Sequence, residues 1–299
     1  MKVGIVGYGR RASYFIEQAI KQGDSLVLYS QHFSEQQNTK YAIYSDITDF
    51  IGQKPDIAII TSADSQHFAQ ALALIKEQIP LLIEKPSATS SEEIKTLSAM
   101  AQKYKTQVYV GYNYRTCPIY QQVKEMKFDL ADIIKVDCYI VTDVFKSLTQ
   151  TDKLFLNVGC HYIDAINQIF NYPSWSVCNS IMRKEHNREK AGQMSVLLND
   201  SIPLTINFNF QAKCFPEIFE SAIFIQTKNN TVVLTRNSLK IIQSRQIKEY
   251  YDAQTTIYEE FLQNIKNRKN NHLCTLAEDM INIQIIENIY GATTYIGEV

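Results

Sequence analysis

No two of the six cysteines, Cys117, Cys138, Cys160, Cys178, Cys214 and Cys274, form a C-x-x-C pair, and they are scattered along the chain. The scatter argues against structural zinc and against a disulfide framework, and it fits reduced thiols in a cytoplasm. No metal is expected. No apolar run approaches the roughly 20 residues that a membrane-spanning helix needs, so no membrane partner is expected. No block of like charge stands out either. Lys and Arg total 30, Asp and Glu total 31, and the formal net charge over 299 residues is −1. Without a basic block, nucleic acid is an unsuitable partner. The first apolar strand pattern begins at residue 2, which leaves no room for a signal peptide, and a cytoplasmic location follows as an expectation. There is no linker rich in Gly, Ser or Pro, no repeat and no low-complexity tail.

A chain of 299 residues is long enough for two domains with cores of their own. The first third alternates in a βα rhythm. Apolar runs at 3–6, 26–29, 57–60, 81–83 and 108–110 read as short buried strands. Helical patterns at 10–22, 65–78 and 91–104 lie between them, and Ser90-x-x-Glu93 is a capping-box signature. Such alternation implies a doubly wound parallel sheet. Past residue 116 the character changes. Segments 133–141, 194–199, 205–210, 222–226 and 231–234 predict strands of a mostly antiparallel sheet, with helices at 157–170, 255–269 and 275–290. The expected division is a dinucleotide-binding domain at 1–116 and an α/β domain at 117–299 for substrate binding and oligomerisation.

The turn Gly7-x-Gly9-x-x-Ala12 follows a strand and opens a helix, the context in which this motif binds a dinucleotide. Gly7 permits the tight turn, Gly9 lets the backbone approach a pyrophosphate, and Ala12 lets the helix pack near the strand. The helix N-terminus supplies N–H donors and positive potential. The bland alternative is a strand–helix turn with no ligand. A carboxylate that would hold the ribose 2′-hydroxyl is missing at the end of the second strand, where Ser30 stands. Its absence removes repulsion against a 2′-phosphate. Ser30, with Arg10 or Arg11 nearby, is placed to bind that phosphate, or Ser30 only ends the strand and both arginines are solvated. The lean is to NADP over NAD.

Other candidates lie just past carboxyl ends of strands, where a doubly wound sheet places its ligands. Thr61 and Asp64 are neighbours for a ribose or pyrophosphate, or Asp64 caps the next helix. His67, in the first turn of that helix, reads as structural. Lys85, between a buried strand and Pro86, is poorly placed to be a solvated surface charge. A lysine amine drawn out of water exchanges its proton more readily near neutrality, so it suits a general acid or base. An ion pair with a buried carboxylate is the alternative. Asn157, His161 and Asp164 fall at i, i+4 and i+7 on one helix face. His161 is placed to bind or relay the proton of a substrate hydroxyl, or it is a core histidine with Asp164 as its partner.

These segments, VGIVGYGRRA, IITSADSQH, IEKP, VGYNYRTCP and NVGCHYIDAINQIF, resemble the Gfo/Idh/MocA oxidoreductases in content and spacing over nearly the whole chain. The resemblance implies a Rossmann domain followed by an α/β domain with a large open sheet. It implies that Lys85 is the catalytic lysine, that Glu84 lines the nicotinamide–ribose end, and that His161 is an active-site histidine. Tyr114, Arg115, Asn157 and Asp164 are the expected substrate side, and a homodimer or homotetramer through the C-terminal sheet is the expected assembly. Two positions depart from the pattern. Asn157 stands where active dehydrogenases of the group often carry Asp, and Ser62 stands where Pro is frequent. Asn holds a hydroxyl but takes up no proton at neutral pH.

The reading is an NAD(P)-dependent dehydrogenase or reductase moving a hydride between nicotinamide and a sugar, cyclitol or nucleotide-linked sugar hydroxyl or ketone. The alternatives are a biliverdin-reductase-like reductase of a non-sugar substrate, against which IEKP and the G-x-H helix argue, and a catalytically impaired cofactor-binding protein, suggested by Asn157. Loops around Arg115, 143–153 and 183–190 are expected to select the substrate.

Overall fold

The computed structural model describes residues 1–31, 41–144, 152–211, 221–244, 246–251, 256–267 and 272–297. They form two compact units, Met1–Asn113 with Thr256–Ile281, and Tyr114–Thr255 with Asn282–Val299. The chain therefore divides differently from a single cut after residue 116. A late segment returns to the first unit, because its apolar residues have their partners there.

The first unit runs β1 (Lys2–Val6), α1 (Arg10–Lys21), β2 (Ser25–Tyr29), β3 (Ile43–Tyr44), α2 (Ile47–Gly52), β4 (Ile57–Ile60), α3 (Asp64–Lys76), β5 (Leu81–Glu84), α4 (Ser91–Tyr104) and β6 (Val108–Gly111). Strands β4, β5 and β6 are buried at every residue, which is why they read as unbroken apolar runs rather than alternations. The sheet order places β5, β4, β1 and β2 side by side, so the winding reverses between β1 and β4. That reversal is the ligand-binding point of a doubly wound sheet. The helix at 91–104 is capped as the Ser90-x-x-Glu93 pattern implies, with Ser90 Oγ accepting from Glu93 N at 3.3 Å. Glu93 reaches back one residue further than expected, to Thr89 N and Oγ1.

The second unit contains α5 (Pro118–Glu125), β7 (Ile133–Val141), α6 (Leu154–Ile169), β8 (Trp175–Glu185), β9 (Arg188–Leu198), β10 (Ile202–Asn209), β11 (Ala222–Thr227), β12 (Thr231–Thr235), β13 (Ser238–Gln243) and β14 (Gln246–Tyr251). The chain then supplies α7 (Ile257–Asn267) and β15 (Cys274–Thr275) to the first unit. Helix α8 (Leu276–Gly291) starts in the first unit and ends in the second, which β16 (Thr293–Ile296) completes. In the first unit, β15 pairs antiparallel with β6, and Ile257, Tyr258 and Phe261 of α7 join the core that also buries Phe15 of α1.

The nine strands of the second sheet are antiparallel except for the β7–β10 and β8–β16 pairs, so the expected mostly antiparallel character holds. One face is covered. Along β10, Ile202, Leu204, Ile206 and Phe208 are buried while the residues between them are more exposed. Strand β8 turns into β9 through His186 and Asn187, both in the left-handed region at φ 51 and 60, the conformation a two-residue hairpin requires. In β9, a Cβ on Gly192 would lie 2.6 Å from the Ile181 carbonyl of the neighbouring strand and 2.5 Å from the Phe208 ring. A strand backbone held on both sides has no room to retreat. Gly192→Ala should therefore cost about 1–3 kcal/mol, the usual range for overpacking, read as a lowered urea midpoint. An unchanged midpoint would show that the strand yields.

Candidate active site

In the first unit, the turns after β1, β4, β5 and β6 converge on the carboxyl edge of the parallel sheet. Gly7 has φ +103, and a Cβ on it would fall 2.7 Å from Ser62 N, so both its conformation and its space demand glycine. Thr61 is buried and spends its hydroxyl on the Val6 carbonyl at 3.2 Å, tying β4 to β1. Gly9 differs in kind. It is the N-cap of α1 with extended backbone, and a Cβ there would meet no protein atom within 4 Å. No side chain caps this helix and no acidic residue occupies its first turn. The first-turn N–H groups have no intrahelical acceptors. An uncapped end beside open space, entered through a glycine that the backbone itself does not require, fits a pyrophosphate.

Arg11 and Glu84 come together. Arg11 Nε donates to Glu84 Oε1 at 2.5 Å, and the guanidinium carbon sits 4.7 Å from the Tyr14 ring centre and 4.9 Å from that of Phe15. Glu84 ends β5 and Ser30 follows β2, on opposite sides of β1 in the sheet. The Arg11 side chain is therefore committed away from Ser30, and its proposed place beside a 2′-phosphate there is not carried forward. Arg10 is exposed and Ser30 half-buried. Asp64 is the first residue of α3, after the N-cap Ala63, so it is not the cap residue itself. Lys85 is half-buried, directly past β5. The carboxylate next to it in sequence is held by Arg11.

In the second unit, Asn157, His161 and Asp164 all lie on α6, but they differ in burial. Asn157 and His161 are half-buried, whereas Asp164 is fully enclosed. The partners of Asp164 are Arg115, through Nε at 2.9 Å and Nη2 at 2.6 Å, and Asn282 at 2.8 Å. Arg115, only 4% exposed, also donates to the Tyr172 hydroxyl. The network continues from Asn282 to Asn167 and from Asn167 to the Trp175 indole. Arg115 and Asp164 thus hold the interior of this unit, and their expected role as substrate contacts is not carried forward. Asp164 is also not the partner of His161. Buried charges of this kind persist only when paired and hydrogen-bonded.

His161 packs instead against Tyr114, ring centres 5.3 Å apart, and Tyr114 stacks on Tyr120 at 4.7 Å and reaches the Tyr162 hydroxyl at 3.3 Å. Burial pushes the Tyr114 phenol up, so it stays neutral near neutrality and is a poor base. The start of α6 is held by Glu189, whose Oε2 accepts from Phe155 N at 2.6 Å, and by Tyr290, whose hydroxyl accepts from Leu156 N at 3.0 Å. Neither residue stands out in the sequence, because both come from strands or helices far along the chain. Nor do Ser87 and Asp279, whose carboxylate accepts from the Ser87 and Tyr112 hydroxyls in the first unit. The loop at 143–153 lies mostly outside the described residues.

Burial pushes the Glu189 carboxyl up to about 7, against the lowering effect of the Phe155 N–H and the Tyr290 hydroxyl. Between its ordinary value of 4.5 and about 7, the folded protein holds a proton that the unfolded chain has released. The contribution of this group to stability is therefore fullest below pH 4.5 and is lost as the pH rises to about 7. Glu189→Gln mimics the protonated form and should flatten that portion of a stability–pH curve measured by thermal melts. An unchanged slope would contradict the assignment.

The family model described as an oxidoreductase family with an NAD-binding Rossmann fold, GFO_IDH_MocA, matches residues 1–112. A curated relative, the putative oxidoreductase YteT of Bacillus subtilis (strain 168), is 25% identical over 126 residues, 38% of this chain and 29% of the relative. The matched region thus spans under a third of that relative's length. Among solved structures, UDP-N-acetylglucosamine 3-dehydrogenase GnnA from Acidithiobacillus ferrooxidans is similar with a TM-score of 0.84 at 15% identity, covering 98% of this chain and 97% of that one. The WlbA dehydrogenase from Bordetella pertussis, in complex with NADH and UDP-GlcNAcA, has a TM-score of 0.79 at 17% identity, covering 98% and 96%. Biliverdin reductase from Synechocystis sp. PCC 6803, in complex with biliverdin and NADP+, has a TM-score of 0.78 at 14% identity, covering 98% of each chain. At these identities the structures establish a shared fold. Among the described residues, no helix is long and apolar enough to cross a membrane. Residues 1–112 thus match the NAD-binding Rossmann fold of the GFO_IDH_MocA oxidoreductase family.

Proposed function

We propose that the protein is an NAD(P)-dependent oxidoreductase acting on a CH–OH group or the corresponding ketone of a sugar, cyclitol or nucleotide-linked sugar. The observation that carries the reading is Lys85, half-buried directly past β5, on the same sheet edge as the uncapped start of α1. The N–H groups of the first turn of α1 and the open space over Gly9 would hold the pyrophosphate, with Glu84 toward the nicotinamide ribose. Thr61 and Asp64 stand on the same edge. A bound nicotinamide supplies the hydride acceptor for oxidation, or the donor for reduction. The Lys85 amine takes the hydroxyl proton as the carbonyl forms, and returns it in the reverse direction. In the second unit, His161, with Tyr114 packed against its imidazole, and Asn157 are the residues the family resemblance offers for the substrate hydroxyl.

A nucleotide-linked sugar is supported by the relatives named for or crystallised with UDP-sugars. Biliverdin reductase shares the fold, so a reductase of a non-sugar substrate is the second reading. Asn157 in place of an acid keeps open a third, a cofactor-binding protein with impaired turnover. A homodimer or homotetramer through the nine-stranded sheet belongs to the same proposal, and Ile181, Ile247 and Tyr251 are exposed on that sheet.

We infer a modest preference for NADP, resting on Ser30 in place of an acid after β2 and on the exposed Arg10 at the start of α1. Fluorescence titration with both cofactors should show tighter binding of NADP, and tighter binding of NAD would contradict it. Gly9→Val should abolish binding of both. Its backbone is open to any residue, so the variant should fold normally, and retained binding would remove the pyrophosphate from this turn.

Lys85→Ala should leave cofactor affinity nearly unchanged and lower turnover roughly 10²- to 10⁴-fold, the usual contribution of a positioned acid or base. Lys85→Arg should fail as well, since a guanidinium stays protonated. Wild-type turnover in Lys85→Ala would transfer the role to another group, His161 first.

A further inference from the structure

The turn that follows Lys85 is held by two side chains from distant helices of the first unit. The Pro86–Ser87 peptide group is engaged at both ends. Its carbonyl oxygen lies 2.8 Å from His67 Nδ1 of α3. Its N–H, on Ser87, donates to Asp279 Oδ2 of α8 at 3.3 Å, and the Ser87 hydroxyl donates to the same oxygen at 2.5 Å. The other oxygen, Asp279 Oδ1, accepts from the Tyr112 hydroxyl at 2.6 Å. Tyr112 directly follows β6, whose Gly111 is the register partner of Glu84 on β5. One carboxylate therefore ties together the turns after two neighbouring strands. His67 adds the turn after β4, since its Nε2 lies 3.0 Å from the Ser62 carbonyl.

All four side chains are shut away from water. His67 is 1% exposed, and Asp279, Ser87 and Tyr112 are 0% exposed. Burying a carboxylate is costly unless hydrogen bonds replace its hydration. Here the replacements fall on the residue two past Lys85 and on the turn beside it. An apolar residue at 279 would fill the same space without fixing the orientation of the peptide. With its carbonyl and N–H both held, the Pro86–Ser87 group keeps one orientation, and with it the backbone from which the Lys85 side chain departs.

We propose that Asp279 and His67 are positioning residues for Lys85. The inference rests on the reading of Lys85 as the acid–base residue, but its test does not need turnover. Trace acylation of the full chain with acetic anhydride, read by mass spectrometry, gives the reactivity of the Lys85 amine relative to Lys76 in the same molecule. Asp279→Asn and His67→Gln should each change that ratio at least about threefold, as expected when a side chain loses its fixed placement, with cofactor affinity retained. A purely structural role would lower the melting temperature and leave the ratio alone. An unchanged ratio in the folded variants overturns the proposal. Should Asp279→Asn not fold, Ser87→Ala removes one of the two Ser87 donors and serves in its place. On a substrate that is turned over, kcat should fall roughly 10- to 100-fold with little change in KM, as for a misplaced reacting group. If the wild type turns over no sugar, cyclitol or nucleotide sugar while the ratio still shifts, the positioning stands and the functional reading falls.

Discussion

Much of the first unit follows from how closely β1 and β4 approach at their carboxyl ends. Gly7 leaves β1 at φ +103, with the Thr61–Ser62 backbone so near that any side chain would collide with it. The Gly7 N–H donates to the Tyr29 carbonyl, and Thr61 closes onto Val6, so the exit from β1 is fixed on both sides. From that fixed exit α1 begins uncapped, with open space above Gly9. The same start sends Arg11 across to Glu84, which neutralises the carboxylate beside Lys85 while leaving the N-terminal N–H groups of α1 available. This backbone geometry is what supports the proposed anion site at the start of α1.

In the second unit, α6 is held by polar groups at several points. Glu189 and Tyr290 satisfy its first N–H groups, and Asp164 is locked by Arg115 and Asn282. These buried bonds offset the cost of taking charges out of water and set the rotation of the helix. The half-buried Asn157 and His161 are presented on a helix that is held in place.

The central strands of both sheets were legible because their apolar patterns are unambiguous. Strand β7 has the predicted bounds, and the runs of β1, β4, β5 and β6 are continuous because both faces are covered. Strand β3 and helix α2 escaped because they are short. Strands β8, β13, β14 and β16 escaped for another reason. They are exposed or mixed in burial, and every residue of β14 is exposed, so no alternation marks it. The placement of the glycine turn between β1 and α1, and of Lys85 past β5, was readable from local context. Partnerships across the chain were not. Arg115 and Asp164 are 49 residues apart, Arg11 and Glu84 are 73 apart, and Ser87 and Asp279 are 192 apart. Helix spacing suggested Asp164 for His161, because i and i+3 share a face. A guanidinium supplied from elsewhere in the chain took that carboxylate instead, since a bidentate charged donor is the stronger partner.

The central claim is that the carboxyl edge of the first sheet holds a dinucleotide with its nicotinamide end toward Lys85. A crystal structure of the protein soaked with NADP tests it most directly. The account predicts pyrophosphate oxygens about 3 Å from the first-turn N–H groups of α1 and the nicotinamide beside the turn at 84–87. A dinucleotide bound with its nicotinamide toward Ser30, or away from Gly9 altogether, would contradict it.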